Sequence, residues 1–180
     1  MYHMALIKFF GKQPDSARTD LNRILVEYPD GYFVNDAVGL LMVMDEAEDA
    51  DTLLYDYSNA LLFEQMRQYD SMIVKLESVV AAENKALADV ALYRLARLSF
   101  DHLDTAEAMG YVERLISEYP ESYYTPFGMK ARADYLKADP DRRDEAAQIY
   151  RDLLKNHPNY PFSSEIRETL RQLDIDQNIG

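Results

Sequence analysis

Cysteine is absent from this 180-residue chain, which rules out disulfides and every cysteine-held zinc site. The absence does not choose a compartment, since exported chains that avoid mispairing and cytosolic chains both tolerate it. It does remove the residue that would carry a lipid anchor. Glycine is scarce, at six residues, and the long segments between turn signals favour helices over strands. Basic residues are the minority, with 19 Lys and Arg against 32 Asp and Glu and a net charge of −13. Nucleic-acid binding needs clustered cations, and spots such as Arg142-Arg143 are interleaved with Asp144 and Glu145, so no nucleic-acid partner is expected. No stretch approaches the roughly 20 apolar residues of a membrane span, so no direct membrane insertion is expected. The apolar opening, residues 1–10, lacks the basic region and small-residue cleavage site of a signal peptide.

Catalytic signatures are missing as well. His3, His102 and His157 lie far apart and without metal-ligand spacing. No phosphate loop, dinucleotide fingerprint or nucleophile elbow occurs. The acidic run 45–51 lacks the glycine and spacing of a calcium loop, so it reads as a solvated linker. The expectation is a protein that is not an enzyme and uses no cofactor and no metal.

What is present is a recurring phrase. Glu27-Tyr28-Pro29 returns as Glu118-Tyr119-Pro120 and, altered, as Asn156-His157-Pro158. Twelve residues before each proline stands an alanine: Ala17, Ala108 and Ala146. Eight before stand Leu21, Val112 and Tyr150, and five before stand Ile24, Leu115 and Leu153. The prolines stop helices because the residue before a proline avoids the α conformation. Helices are expected over 2–11, 14–27, 32–46, 51–66, 69–83, 86–100, 104–118, 123–137, 141–156 and 162–174, with boundaries good to a few residues. Asp104-Thr105-Ala106-Glu107 has capping-box spacing, and Thr125-Pro126 offers a capping hydroxyl before a proline at the first helical position.

This spacing resembles the second helix of a tetratricopeptide repeat. Counting back twelve residues from Ala108 and from Met72 gives Ala96 and Ala60 at the family's small position, and ten after Pro29 gives Gly39. The resemblance implies an all-α, right-handed superhelical α-solenoid of antiparallel helix pairs, roughly ten helices long, over 1–180 as a single domain. Met72, Leu76, Val79 and Asn84 fit the same frame without its proline, and the stops at 29, 84, 120 and 158 are 55, 36 and 38 residues apart, against a family period of about 34. An unpaired helix at 32–46, followed by the acidic linker 45–51, accounts for the long first interval. Segment 162–174, with Arg167, Glu168 and Arg171 on its free face, reads as a capping helix. The Tyr-Pro-Asp-Gly-Tyr and Tyr-Pro-Glu-Ser-Tyr-Tyr phrases are similar to those of bacterial cell-envelope repeat proteins, of the outer-membrane assembly lipoprotein and Tol–Pal coordinator type. That likeness inclines the expected location towards the cell envelope or periplasm.

By resemblance, such a chain is a scaffold that binds a peptide or helix of a protein partner in its concave groove. The groove positions are then Phe33, Leu40 and Met44 from the third helix, Leu54, Tyr57 and Leu61 from the fourth, and Tyr93 and Arg97 from the sixth. Helical amphipathicity does not separate groove from core, and an inward fold of 32–66 is the alternative. A second class of function is a structural or self-associating module within a larger envelope protein. The apolar face Leu6, Phe9 and Phe10 of an abruptly starting helix needs cover, from upstream repeats of a longer array or from another copy in a homo-oligomer.

Overall fold

A computed structural model describes residues 1–48, 50–102 and 104–179, without the side chains of 174–179. The expected acidic linker includes Asp49, which lies outside the described residues, as does Gly180. Among the described residues ten α-helices follow one another: α1 Tyr2–Phe10, α2 Pro14–Glu27, α3 Val34–Glu46, α4 Asp51–Gln65, α5 Tyr69–Ala81, α6 Ala88–His102, α7 Thr105–Glu118, α8 Thr125–Leu136, α9 Arg143–Asn156 and α10 Ser163–Ile179. A short 3-10 turn, Pro140–Arg142, fills the insertion before α9. No strand occurs among the described residues. The contacts gather into two compact units, Met1–Leu95 and Ala96–Gly180.

In the first unit α1 pairs with α2 and α4 with α5, while α1 also rests on α4. Both pairs turn at the same corner. Gln13 N–H reaches the carbonyl of Lys8 and Lys12 N–H that of Phe9; Gln68 N–H reaches Phe63 and Arg67 N–H reaches Glu64. This double bond is the Schellman ending, which needs one left-handed residue. Here Lys12 (φ 57°) and Arg67 (φ 55°) take that conformation, where glycine is the usual occupant. α3, the helix expected to stand unpaired, belongs to neither of these pairs and packs on α2. The linker after it is only partly solvated: Ala47 is buried, and Asp45 pairs with Arg18.

In the second unit α7 packs on α8, α8 on α9 and α9 on α10. Tyr150, Leu153, Tyr160, Ile166 and Leu173 form its core with Ala133 and Ala147. The charged face expected on the last helix is exposed, with Arg171 paired to Glu168 at 2.5 Å. That helix runs on to Ile179, past the expected end at 174.

The Tyr-Pro phrase builds one corner three times. Tyr28, Tyr119 and His157 close their helices in nearly the same conformation, with φ of −137°, −133° and −128°. Two successive tight turns follow each: Gly31 N–H to Tyr28 and Val34 to Gly31, Ser122 to Tyr119 and Thr125 to Ser122, Tyr160 to His157 and Ser163 to Tyr160. At the last two corners the hydroxyl that opens the next helix also donates backwards, Thr125 to the Tyr119 carbonyl at 2.5 Å and Ser163 to that of Tyr160 at 2.6 Å. Thr125 therefore ties one helix end to the next start and does not cap α8 as expected. Asp104 does cap α7, accepting from Ala106 N–H at 2.7 Å.

The small positions sit where helices touch. Ala5, Ala17, Ala60, Ala108, Ala133 and Ala146 are all fully buried. Ala5 and Ala133 escaped the sequence reading, because a one-residue offset at the 3-10 turn shifts the second from the twelve-residue count. Gly39 departs from expectation: a methyl group there would meet nothing within 4 Å. Close approach falls instead on Gly128 of α8, where a methyl group would lie 3.2 Å from Leu115 of α7.

Candidate functional site

The eight expected groove residues separate by burial. Leu40, Met44, Leu54, Tyr57 and Leu61 are each less than a tenth exposed, with Tyr57 and Met44 at 1%. These five therefore pack in the core of the unit, with Leu54 also on the wall of a cavity. The physical reason is that α3 and α4 carry apolar residues on more than one face, and packing covers the broader one. Phe33 and Tyr93 are half-buried and Arg97 is exposed. The apolar face expected on α1 is also covered. Phe9 is buried, Leu6 and Phe10 are half-buried, and the Ser58 hydroxyl of α4 donates to the Phe9 carbonyl at 3.4 Å. The large apolar side chains that α1 leaves to solvent are Met4 and Ile7, with Met1 exposed just before it.

Phe33 is the centre of a surface cluster in the first unit. The Tyr2 ring stacks on it at 5.0 Å and 10°, while His3 and Tyr32 meet it edge-on at 5.2 and 5.0 Å. Tyr32 is 90% exposed. The corner after Pro29 explains this placement: two consecutive turns leave residue 32 outside and swing residue 33 towards the start of α1. Sequence reasoning located Phe33 but missed Tyr2, His3 and Tyr32, since nothing in the spacing shows that α1 begins beside that corner.

Beside the cluster lies a polar group on α4 and α6. Arg94 Nε donates to the Tyr57 hydroxyl at 2.6 Å, and its Nη1 pairs with Glu64 at 3.0 Å. Burial pushes the Tyr57 hydroxyl pKa up despite the neighbouring guanidinium. Tyr2 feels both groups: its pKa is pushed up to about 12, first by burial and then by the field of Asp36. Neither tyrosine is poised as a base near neutral pH. A cavity of about 390 Å³ opens elsewhere in the unit between Phe9, Pro14, Leu54 and Tyr55, with the Lys12 ammonium 3.8 Å from the Tyr55 ring centre.

Among the described residues no group of three or more His, Asp or Glu side chains is placed to hold a metal ion, and no helix is long and apolar enough to cross a membrane. Three stretches, 1–31, 90–122 and 130–160, match the tetratricopeptide repeat family model and together make up just over half of the chain. They coincide with α1–α2, α6–α7 and α8–α9. No curated protein and no solved structure matches the chain.

Proposed function

Because the chain belongs to the tetratricopeptide repeat family, whose repeats generally mediate protein–protein interaction, we propose that it is a non-enzymatic scaffold docking a peptide or helix of a partner protein. The observation that carries the reading is the Tyr2–His3–Tyr32–Phe33 cluster. Aromatic rings left on a surface lose little conformational entropy on binding and bury large areas, which is why they dominate interfaces. An aromatic as exposed as Tyr32 contributes nothing comparable to folding. The groove of the sequence reading thus narrows, in this proposal, to Phe33 and its neighbours in the first unit.

A photo-reactive amino acid in place of Tyr32 tests the proposal in cells expressing the full chain. The expected product is a covalent adduct with one discrete partner protein, absent when the probe replaces Val26 on the exposed side of α2. Adducts between copies of the chain alone would overturn it in favour of the structural or self-associating module. That second reading has its own support in Met4 and Ile7, 55% and 61% exposed on α1.

A further inference from the structure

The repeated corner allows residues of the two units to be compared place by place. Phe33 stands five residues after Tyr28, as Phe162 stands five after His157; Asp36 and Glu165 follow three residues later in each case. In the second unit this aromatic–carboxylate pair holds a cation. The Lys130 ammonium lies 5.7 Å from the Phe162 ring centre and 2.9 Å from Glu165, with Asp134 at 2.7 Å. Lys130 stands three residues before the buried Ala133 of its helix. The residue three before buried Ala5 is Tyr2. The first unit therefore keeps the ring and the carboxylate but replaces the cation with a tyrosine stacked on the ring.

That substitution leaves Asp36 without a lysine in that place, while the Arg94 guanidinium that also acts on Tyr2 is engaged by Glu64. Asp36 and Asp30 are exposed, and neither has an ion-pair partner among the described residues. No Lys or Arg among those residues stands over Tyr2, Tyr32 or Phe33, although the chain places cations over aromatic rings at Tyr55, Tyr57, Tyr150 and Phe162. Acidic residues outnumber basic ones two to one over residues 1–95. An aromatic cluster beside an unpaired carboxylate attracts a cation through both the ring quadrupole and the charge.

We propose that the Tyr2–Tyr32–Phe33 cluster and Asp36 form a docking site for a lysine or arginine side chain of a basic partner segment, the place that Lys130 fills internally at Phe162. The site rests on the scaffold reading and gives the partner its chemistry. An acidic or purely apolar segment is a poor occupant, since it leaves Asp36 repelled or desolvated.

Fluorescence anisotropy of a labelled dodecapeptide carrying three arginines among alanines, titrated with the full chain, provides the test. A peptide with glutamine in place of arginine is the neutral control. The arginine peptide binds more tightly, and its binding weakens as salt rises. Tyr32→Ala and Asp36→Asn each weaken it by roughly threefold to tenfold, while Glu121→Gln, which removes the same charge from the second unit, leaves it unchanged. Tyr2→Lys supplies the missing cation from within and abolishes the binding, with melting temperature and circular dichroism reporting that the variant is folded. Equal weakening by Asp36→Asn and Glu121→Gln, or full binding by folded Tyr2→Lys, overturns the site but leaves the scaffold reading standing. If neither peptide binds and the photo-probe at position 32 finds no partner, both fail.

Discussion

Tyr57 shows why burial decides between two roles for one side chain. It is 1% exposed and accepts a hydrogen bond from Arg94 at 2.6 Å. Removing the ring leaves a cavity that the surrounding helices fill incompletely, so Tyr57→Ala is expected to destabilise the protein by about 3–5 kcal/mol in urea unfolding. Loss of partner binding with unchanged stability would instead return Tyr57 to a surface role. Asp134 illustrates a charged residue whose partners overcome its surroundings. Burial opposes its carboxylate, but hydrogen bonds from Lys130, Lys137 and Tyr150, at 2.7, 2.7 and 2.5 Å, outweigh that and hold its pKa below the ordinary value. A depressed folded pKa means stability that is full above the unfolded value of about 3.8 and is lost as pH falls through the folded one. The melting temperature should therefore drop in that acid range, and drop less steeply in Asp134→Asn. At this scale the sequence was a weak guide. Leu40, Met44, Leu54, Tyr57 and Leu61 are apolar residues at helical spacing, and spacing says which residues share a face but not what that face meets.

Helices and corners were far more legible, because their signals are local. Proline after tyrosine or histidine, a capping aspartate at 104 and apolar residues at fixed intervals each act within a few residues of where they are read. The helix boundaries expected from them fall close to those found. Corners that depend on rarer conformations were not legible: nothing in Gly11-Lys12-Gln13 or Met66-Arg67-Gln68 reveals that the central residue, and not a glycine, turns left-handed. A non-glycine residue there costs about 1–2 kcal/mol, offset in part by the extra unfolded-state freedom of glycine. Arg67→Gly should raise stability by about 0.5–1 kcal/mol, read from the urea midpoint at constant slope. Gly39 makes the complementary case. It lies inside α3 with open space where a methyl group would go, so Gly39→Ala should stabilise by roughly 0.5–1 kcal/mol. The same change at Gly128, facing Leu115 at 3.2 Å, should not.

For the whole molecule, the composition that argued against nucleic acid now supports a basic partner, since a chain of net charge −13 attracts cationic segments before any contact forms. The scaffold reading expects a single copy in solution. Light scattering at physiological salt should return a mass near the 20.8 kDa of the chain. A dimer that Ile7→Glu dissociates would favour self-association through α1. The candidate site was legible only in Phe33, because the cluster depends on α1 meeting a corner thirty residues away in the chain, and such meetings have no local signature. The corner itself has a wider consequence. A proline and two turn hydrogen bonds set its backbone, so the side chain at its outer edge, Tyr32 in one copy and Tyr123 in another, meets neighbouring rings but does not shape the corner. On the proposed reading, changes there let a lineage drift from one binding preference to another while the backbone beneath is inherited intact.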